Sequence, residues 1–338
     1  MTPSPRNRGF ALFAWSTLGF NLFVILWGAF VRATGSGAGC GSHWPLCNGD
    51  VVPRAPALAT VIEFGHRLTS GVALLLVVGL VVGAWRRYPR GHVVRLGAGL
   101  SALFIVTEAL IGAGLVLLEK VAGDASIARG FWVAGHLINT FFLVAALALT
   151  AWWASGGERP VWRHKVGTAA PLAVALAGVL LLGVSGAITA LGDTLFRVSS
   201  LEEAKAMTFD QTSHVFVRLR VWHPTLAFVV GILLGAVGWS AVSARPSPAA
   251  RQLFALAAGA YLLQLGLGFL NVWLLAPIWL QLVHLLVSDV IWIALVLMSA
   301  TVLAPAADPV SVLAAREPSS GSGAQATDSR GAEVGSRG

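Results

Sequence analysis

Residues 135–149 read GHLINTFFLVAALAL, and residues 283–297 read VHLLVSDVIWIALVL. In both stretches a histidine, His136 or His284, stands just ahead of a long apolar run. Each run belongs to a segment of about 20 residues, the length that an α-helix needs to cross the hydrocarbon core of a bilayer. Their similarity indicates that a membrane-spanning unit occurs twice in the chain.

The composition indicates an all-α polytopic membrane protein. Of the 338 residues, 56% are hydrophobic and 11% are charged, whereas a soluble domain carries about 25% charged residues. The net charge of +8 comes from short loops, where basic residues set membrane topology, so it does not indicate nucleic-acid binding. The first apolar run follows Arg6 and Arg8 but is too long for a signal peptide, so we expect a retained span.

Hydropathy predicts eight transmembrane helices, at 10–31, 62–84, 97–118, 132–153, 169–190, 221–243, 252–275 and 279–303. Basic residues cluster at the start of the chain and after the second, fourth and sixth spans. Such segments face the cytoplasm, so we expect a multi-pass protein of the cell membrane with both termini cytoplasmic.

Three more motif pairs extend the repeat. Residues 27–37, WGAFVRATGSG, resemble 185–194, SGAITALGDT; residues 64–76, FGHRLTSGVALLL, resemble 221–234, VWHPTLAFVVGILL; and residues 107–114, TEALIGAG, resemble 263–269, LQLGLGF. Each half has an even number of spans, so the repeats run parallel, related by an axis along the membrane normal. The sequence therefore predicts two pseudo-symmetric parallel four-helix bundles.

The expected domains follow from these bundles. They are a cytoplasmic N-terminus at 1–9, an N-terminal bundle at 10–153, a cytoplasmic linker at 154–168, a C-terminal bundle at 169–303 and a disordered cytoplasmic tail at 304–338. The tail is rich in Ser, Gly and Ala, a composition that cannot bury enough apolar surface to fold.

Four of the eight histidines occupy repeat positions at the starts of even-numbered spans, near the outer face: His66, His136, His223 and His284. A single histidine there could be an ordinary interfacial residue, but four equivalent ones in a membrane bundle indicate function. Two facing imidazoles in a four-helix bundle are natural axial ligands for haem iron.

Two other metal sites fit less well. The spacing of Glu63 and His66 suits a di-iron carboxylate site, but no carboxylate precedes the other three histidines at that spacing. A closed zinc site needs about four ligands, and each half offers two.

The two halves differ in their charged residues. Only the N-terminal half has a carboxylate, Glu63, one turn from its histidine, which suits a bound haem that is itself transformed; a pair without an acid suits electron transfer. The alternative for Glu63 is an interfacial ion pair with Arg67. Four arginines at the same level could hold haem propionates or simply reach the interface: Arg32, Arg67, Arg218 and Arg220.

The loop after the first span holds both cysteines, Cys40 and Cys47. We expect it outside, in an oxidising compartment where a disulfide persists. That bond could be a structural clip or a redox-active pair, and the spacing leaves both open. Deeper in the spans, Glu108, Gln264 and Asp289 could form interhelical hydrogen bonds or a proton path.

The motif order resembles that of the haem A synthase family. It comprises VRATGSGAGCGSHWPLCNGDVVP at 31–53, EFGHR at 63–67, GHLINTFF at 135–142, VWHPTLAF at 221–228 and LVHLLVSD at 282–289. The resemblance extends over about 10–303. It implies oxidation of the C8 methyl of haem O to a formyl group by successive hydroxylations, for cytochrome oxidase assembly.

The resemblance also implies roles for single residues. His223 and His284 would ligate a resident haem B, His66 and His136 would ligate the substrate haem, and Glu63 would be the catalytic carboxylate. The cysteines would match the cysteine pair of one subfamily. The expected partners are haem O, membrane lipid, an electron donor that the sequence does not identify, haem O synthase (the protohaem farnesyltransferase) and a further copy of the chain.

Two rival functions remain at this stage. A di-haem cytochrome b that only carries electrons would need neither Glu63 nor the cysteine loop. A transporter built on parallel repeats would need a polar site at the membrane midplane, where this sequence is mostly Leu, Val and Gly.

Overall fold

The computed structural model describes residues 5–161, 166–245 and 247–305. Within these ranges it contains ten α-helices, one short 3-10 helix and no strand. The helices are α1 (Pro5–Ala33), α2 (Leu58–Arg87), α3 (Val93–Leu117), α4 (Ile127–Ala154), α5 (Val166–Leu195), α6 (Leu201–Phe209), α7 (Val215–Arg218), α8 (Trp222–Ala244), α9 (Pro248–Trp273) and α10 (Ile278–Leu303), and the 3-10 helix is Leu219–Val221.

Eight helices in the described part of the chain are long and apolar enough to cross a membrane, which confirms the all-α eight-span prediction. Several begin a turn earlier than hydropathy indicates, because the helical backbone continues through polar residues to its cap. At the start of α4, the side chain of Ser126 accepts a hydrogen bond from the backbone N–H of Arg129, which satisfies one of the unpaired amides of the first turn. His136 therefore lies deeper in its helix than the sequence indicates.

The membrane helices pack in two rings of four. In the first ring α1 contacts α2 and α4, and α3 contacts the same two helices; in the second, α5 contacts α8 and α10, and α9 contacts the same two. Thus α2 and α4 lie diagonally across one ring, and α8 and α10 across the other. The described residues up to Ala304 form one compact unit. The axis relating the two rings stays a prediction.

Helices α1 and α4 of the first ring pack against α5 and α10 of the second. In this interface the indole Nε1 of Trp292 donates to the backbone oxygen of Phe141 at 2.8 Å, and the two rings lie 5.1 Å apart. Such interhelical hydrogen bonds and close ring packing are what hold helices together where water is excluded. The interface thus fixes α4 and α10, the helices that carry His136 and His284.

One end of the molecule carries all four histidines that the sequence predicts as haem ligands, and we call it the histidine end. There, Gly130 at the start of α4 packs beside Phe216 of α7, and Cys40 in the loop after α1 bonds to Glu63 near the start of α2. At the opposite end, Phe10 packs edge-on against Tyr88. The long segment between α5 and α8, expected as a loop, instead contains α6, α7 and the 3-10 helix.

Parts of the predicted organisation lie outside the described residues. They are most of the tail expected to be disordered (304–338), positions 162–165 of the expected linker (154–168) and positions 1–4 of the expected N-terminus (1–9).

Candidate functional site

Each of the four histidines packs against a glycine of the preceding membrane helix. A methyl group on Gly28 would lie 2.9 Å from Cε1 of His66, and one on Gly186 would lie 2.9 Å from Cε1 of His223. The other two contacts are longer: Gly268 with His284 at 3.4 Å and Gly112 with His136 at 3.9 Å. Glycine lets a helix backbone approach closely. The repeat pairs these glycines just as it pairs the histidines, so the pattern is built into both halves.

In the second ring, His223 of α8 and His284 of α10 face each other across the bundle. Their ring centroids are 6.5 Å apart, with planes inclined by 73°. Metal–imidazole bonds are about 2 Å long and a ring nitrogen lies about 1 Å from its centroid, so two imidazoles on one metal are roughly 6 Å apart. The observed spacing therefore fits one iron atom between the two rings.

The Nδ1 atoms of this pair differ in their surroundings. Nδ1 of His223 lies 2.9 Å from the hydroxyl oxygen of Ser185, whereas Nδ1 of His284 is buried without a hydrogen-bond partner in the described chain. A partner at one ring nitrogen selects the tautomer and leaves the other nitrogen for a metal. Ser185 therefore favours Nε2 of His223 as the ligating atom.

In the first ring, His66 of α2 and His136 of α4 come from diagonal helices. Nδ1 of His136 is 3.4 Å from Oε1 of Glu108, within ion-pair distance but without hydrogen-bond geometry. Nδ1 of His66 is buried and has no hydrogen-bond partner in the described chain. Of the four imidazoles, only His136 has a carboxylate beside its ring in the described structure.

Glu63 lies one turn before His66 and is 3% exposed. Its Oε2 accepts a hydrogen bond of 2.8 Å from the backbone N–H of Cys40, and its Oε1 accepts from Nε of Arg67 at 3.1 Å. The ion pair with Arg67 that the sequence left as an alternative is therefore present. The sequence did not predict the hydrogen bond to Cys40, which attaches the loop to the helix that carries His66.

Further contacts hold the cysteine loop, residues 34–57, over the start of α2. Nη1 of Arg67 donates to the backbone oxygens of His43 and Leu46 at 2.7 and 2.6 Å. The hydroxyl of Thr60 donates to the backbone oxygen of Gly39 at 2.7 Å. A disulfide joins Cys40 to Cys47, and both are fully buried. The loop is thus folded onto the first turns of α2, the helix that carries His66.

Every arginine singled out as a propionate contact already has protein partners. Arg32 is bonded to the backbone oxygen of Ala190, the hydroxyl of Thr194 and the side chain of Gln281, at 2.7–3.0 Å, and so ties α1 to α5 and α10.

Arg220 pairs with Asp193 at 2.8 Å and donates to the backbone oxygen of Phe196. Arg67 donates hydrogen bonds to Glu63 and to backbone oxygens of the cysteine loop. Arg218 donates to the backbone oxygen of Gln211. The propionate roles of Arg32, Arg67 and Arg220 stay predictions.

The sequence reasoning missed Arg129, two turns before His136. This side chain is 3% exposed, its Nη1 donates to the backbone oxygens of Ala122 and Asp124 at 2.7 Å, and its Nε is buried without a hydrogen-bond partner in the described chain. An unpaired buried guanidinium nitrogen is costly and suits an anionic ligand. The predicted span begins at 132, which places Arg129 in the preceding loop; the structure begins α4 at Ile127 and so includes it.

The donor set fits a porphyrin iron better than a bare ion. In the described residues, no three His, Cys, Asp or Glu side chains gather as a metal site. Each ring of helices instead offers two imidazoles, the number of axial positions on a haem iron. The glycine contacts and the 6.5 Å spacing of His223 and His284 agree with that interpretation.

Comparison with known proteins points to one family. Residues 11–296 match the model of COX15-CtaA, described as Cytochrome oxidase assembly protein. The chain is 48% identical over 300 residues to a "Protoheme IX farnesyltransferase" of Thermus thermophilus, an alignment that covers 89% of this chain and 49% of that protein.

Two relatives named "Heme A synthase" match shorter segments. That of Halalkalibacterium halodurans is 36% identical over 142 residues, covering 42% of this chain and 47% of the relative. That of Bacillus cereus strain AH187 is 48% identical over 109 residues, covering 32% and 35%. The chain thus aligns with about half or less of the length of these curated relatives.

The glycine contacts lead to a prediction for each half. Gly28→Ala would place a methyl group against His66, and Gly186→Ala would place one against His223, so each should displace one imidazole. We expect Gly28→Ala to lower haem bound in the N-terminal half alone and Gly186→Ala in the C-terminal half alone. Haem extraction and chromatography of the purified variants measure this.

Gly19→Ala is the matched control on α1, because no atom lies within 4 Å of the added methyl group. It should keep the wild-type haem content. Wild-type haem in both Gly28→Ala and Gly186→Ala would show that the close contacts do not position the ligands.

Proposed function

The chain belongs to the COX15-CtaA family of cytochrome oxidase assembly proteins, and we propose that it is a haem A synthase that oxidises the C8 methyl of haem O to a formyl group. One observation carries the proposal: of two similar histidine pairs, only one has a buried carboxylate a turn away, under a disulfide-bonded loop. The two relatives named "Heme A synthase" support the same activity.

The two pairs would have different tasks. His66 and His136 would hold the substrate haem O, because Glu63 and the loop lie beside that pair. His223 and His284 would hold a resident haem B, which supplies one-electron transfer when bound. Arg220, one turn before His223, is paired with Asp193, which suits a site that exchanges electrons.

The chain's own residues would then orient and shield the substrate. The loop is anchored to the start of α2 and would limit access of water to the haem there, while Cys40 and Arg67 fix the carboxylate of Glu63 in place. A fixed carboxylate can position a water molecule, move a proton or stabilise a developing cation, with no reorganisation at the moment of reaction.

The chain is a multi-pass membrane protein, and we propose that it lies in the cell membrane with the histidine end outside. Support comes from the basic residues at the opposite end: α2 ends in Arg86 and Arg87, and Arg95 lies over Trp85 near the start of α3. Basic residues in short loops stay on the cytoplasmic side. A disulfide at the histidine end fits an oxidising exterior.

The proposal is tested by haem analysis. The chain is expressed in a bacterial host that makes haem O but no haem A, and the haems of the purified protein are separated by reverse-phase chromatography. We expect haem A or its alcohol precursor together with haem B. Haem B alone, with haem O supplied and a reductant present, would favour the di-haem electron carrier.

Substitution of Glu63 tests its role. Glu63→Gln can still accept the Cys40 hydrogen bond but carries no charge, so we expect haem O to stay bound while conversion falls at least about a hundredfold, the usual size of a proton-transfer contribution. The haem ratio in extracts measures this.

Thr60→Val is the matched control, since it removes another bond that anchors the loop and leaves the carboxylate. It should retain most of the conversion. Equal losses in the two variants would mean that Glu63 acts only by anchoring the loop.

We also propose that haem O reaches this chain from a protohaem farnesyltransferase in the same membrane. Because a farnesylated haem is very apolar, direct transfer avoids its release into water. The Thermus relatives support this, since this chain aligns with about half of a protein named for farnesyl transfer. Affinity capture in mild detergent should recover the two proteins together; repeated failure with both present would argue against contact.

A further inference from the structure

The carboxylate of Glu108 in α3 is held in a network that ends at His136. The hydroxyl of Thr140 donates to its Oε1, and the side-chain amide of Asn139 donates to its Oε2. The same amide donates to the backbone oxygen of Phe104 at 2.9 Å, and Thr107 donates to the amide oxygen at 2.6 Å. Both oxygens are therefore fixed by residues one turn beyond His136 on α4.

This arrangement aims the carboxylate at the imidazole. Oε1 of Glu108 lies 3.4 Å from Nδ1 of His136, and Nδ1 is buried with no hydrogen bond in the described structure. A small rotation of the imidazole would bring Nδ1–H into hydrogen-bond geometry, and Glu108 is already held in position by its own partners. In the described structure, His136 is the histidine within ion-pair distance of Glu108.

The C-terminal half lacks this carboxylate. Its repeat counterpart is Gln264 of α9, whose amide donates to the backbone oxygen of His284 at 2.9 Å. The amide oxygen of Gln264 and Nδ1 of His284 are both buried without hydrogen-bond partners in the described chain. The arrangement of helices is thus repeated in both halves. A carboxylate lies beside His136 in the first half, whereas the equivalent position beside His284 is the amide of Gln264.

We infer that Glu108 is a positioning residue that accepts a hydrogen bond from Nδ1–H of His136 and so directs Nε2 to the iron of the substrate haem. The inference rests on the haem O site of the proposed function. A carboxylate at the second ring nitrogen fixes the tautomer and ring orientation and makes the imidazole a stronger donor. Hydrogen bonding to an axial ligand is also one of the ways in which a protein adjusts haem potential.

The consequence is a difference between the two haem sites. A negative charge beside His136 stabilises the ferric iron relative to the ferrous iron in the N-terminal half. The neutral Gln264 provides no such effect in the C-terminal half. The substrate haem should therefore be held more firmly through His136 than through His66, whose Nδ1 has no hydrogen-bond partner in the described structure.

The test compares Glu108→Gln with wild type in the full-length protein loaded with haem O and haem B. Outer partners of this kind typically change metal affinity about 10- to 100-fold, so we expect haem O to transfer to apomyoglobin faster by that order. The midpoint potential of the N-terminal haem should rise while that of the C-terminal haem stays constant. A purely structural role would not produce this one-sided shift.

Two controls interpret the result. Gln264→Glu should leave haem O retention unchanged, and an unchanged haem B content in Glu108→Gln shows that the variant folds. If Glu108→Gln keeps the haem O retention and the N-terminal haem potential of the wild type, the inference is wrong. Glu108 would then only connect α3 to α4 through hydrogen bonds. If His136→Ala and wild type hold equal haem O, the proposed substrate site itself is wrong, whatever Glu108 does.

Discussion

The contact between each histidine and a glycine of the preceding helix is the constraint on which the rest of this structure depends. A polar ring inside a membrane bundle is tolerated only where protein surrounds it or a ligand uses it. Gly28 and Gly186 bring their backbones so close to His66 and His223 that a single methyl group would collide with the ring. The positions of His66 and His223, one ligand of each pair, therefore depend on the absence of a side chain at these two glycines.

On this shared frame the two halves carry different polar groups. The N-terminal pair has Glu63 on the His66 side and Glu108 on the His136 side. The C-terminal pair has the hydroxyl of Ser185 at one ring and the amide of Gln264 bonded to the backbone of the other histidine. A duplicated scaffold with carboxylates beside one histidine pair, and a hydroxyl and an amide beside the other, is what a protein needs if one haem reacts and the other exchanges electrons.

The sequence predicted the parts that depend on local pattern. Spans follow from apolar length, and the histidines and their glycines recur at repeat positions, so both were visible without a structure. Helix α6 could also have been found, because Ser200 and Glu203 have capping-box spacing and the structure shows Ser200 capping that helix. The bond from Cys40 to Glu63 could not be predicted, since it depends on how an irregular loop folds onto α2. The same holds for Glu108, whose distance to His136 depends on the packing of α3 against α4.

The central claim is that two histidine pairs hold two haems. Near-infrared magnetic circular dichroism of the oxidised, fully loaded protein tests it most directly, because this spectrum identifies the axial ligands of a low-spin ferric haem. The account predicts bis-histidine ligation for two haems per chain, one of them lost in His136→Ala and the other in His284→Ala. A single haem per chain, or a ligand set without two histidines at either iron, would contradict it.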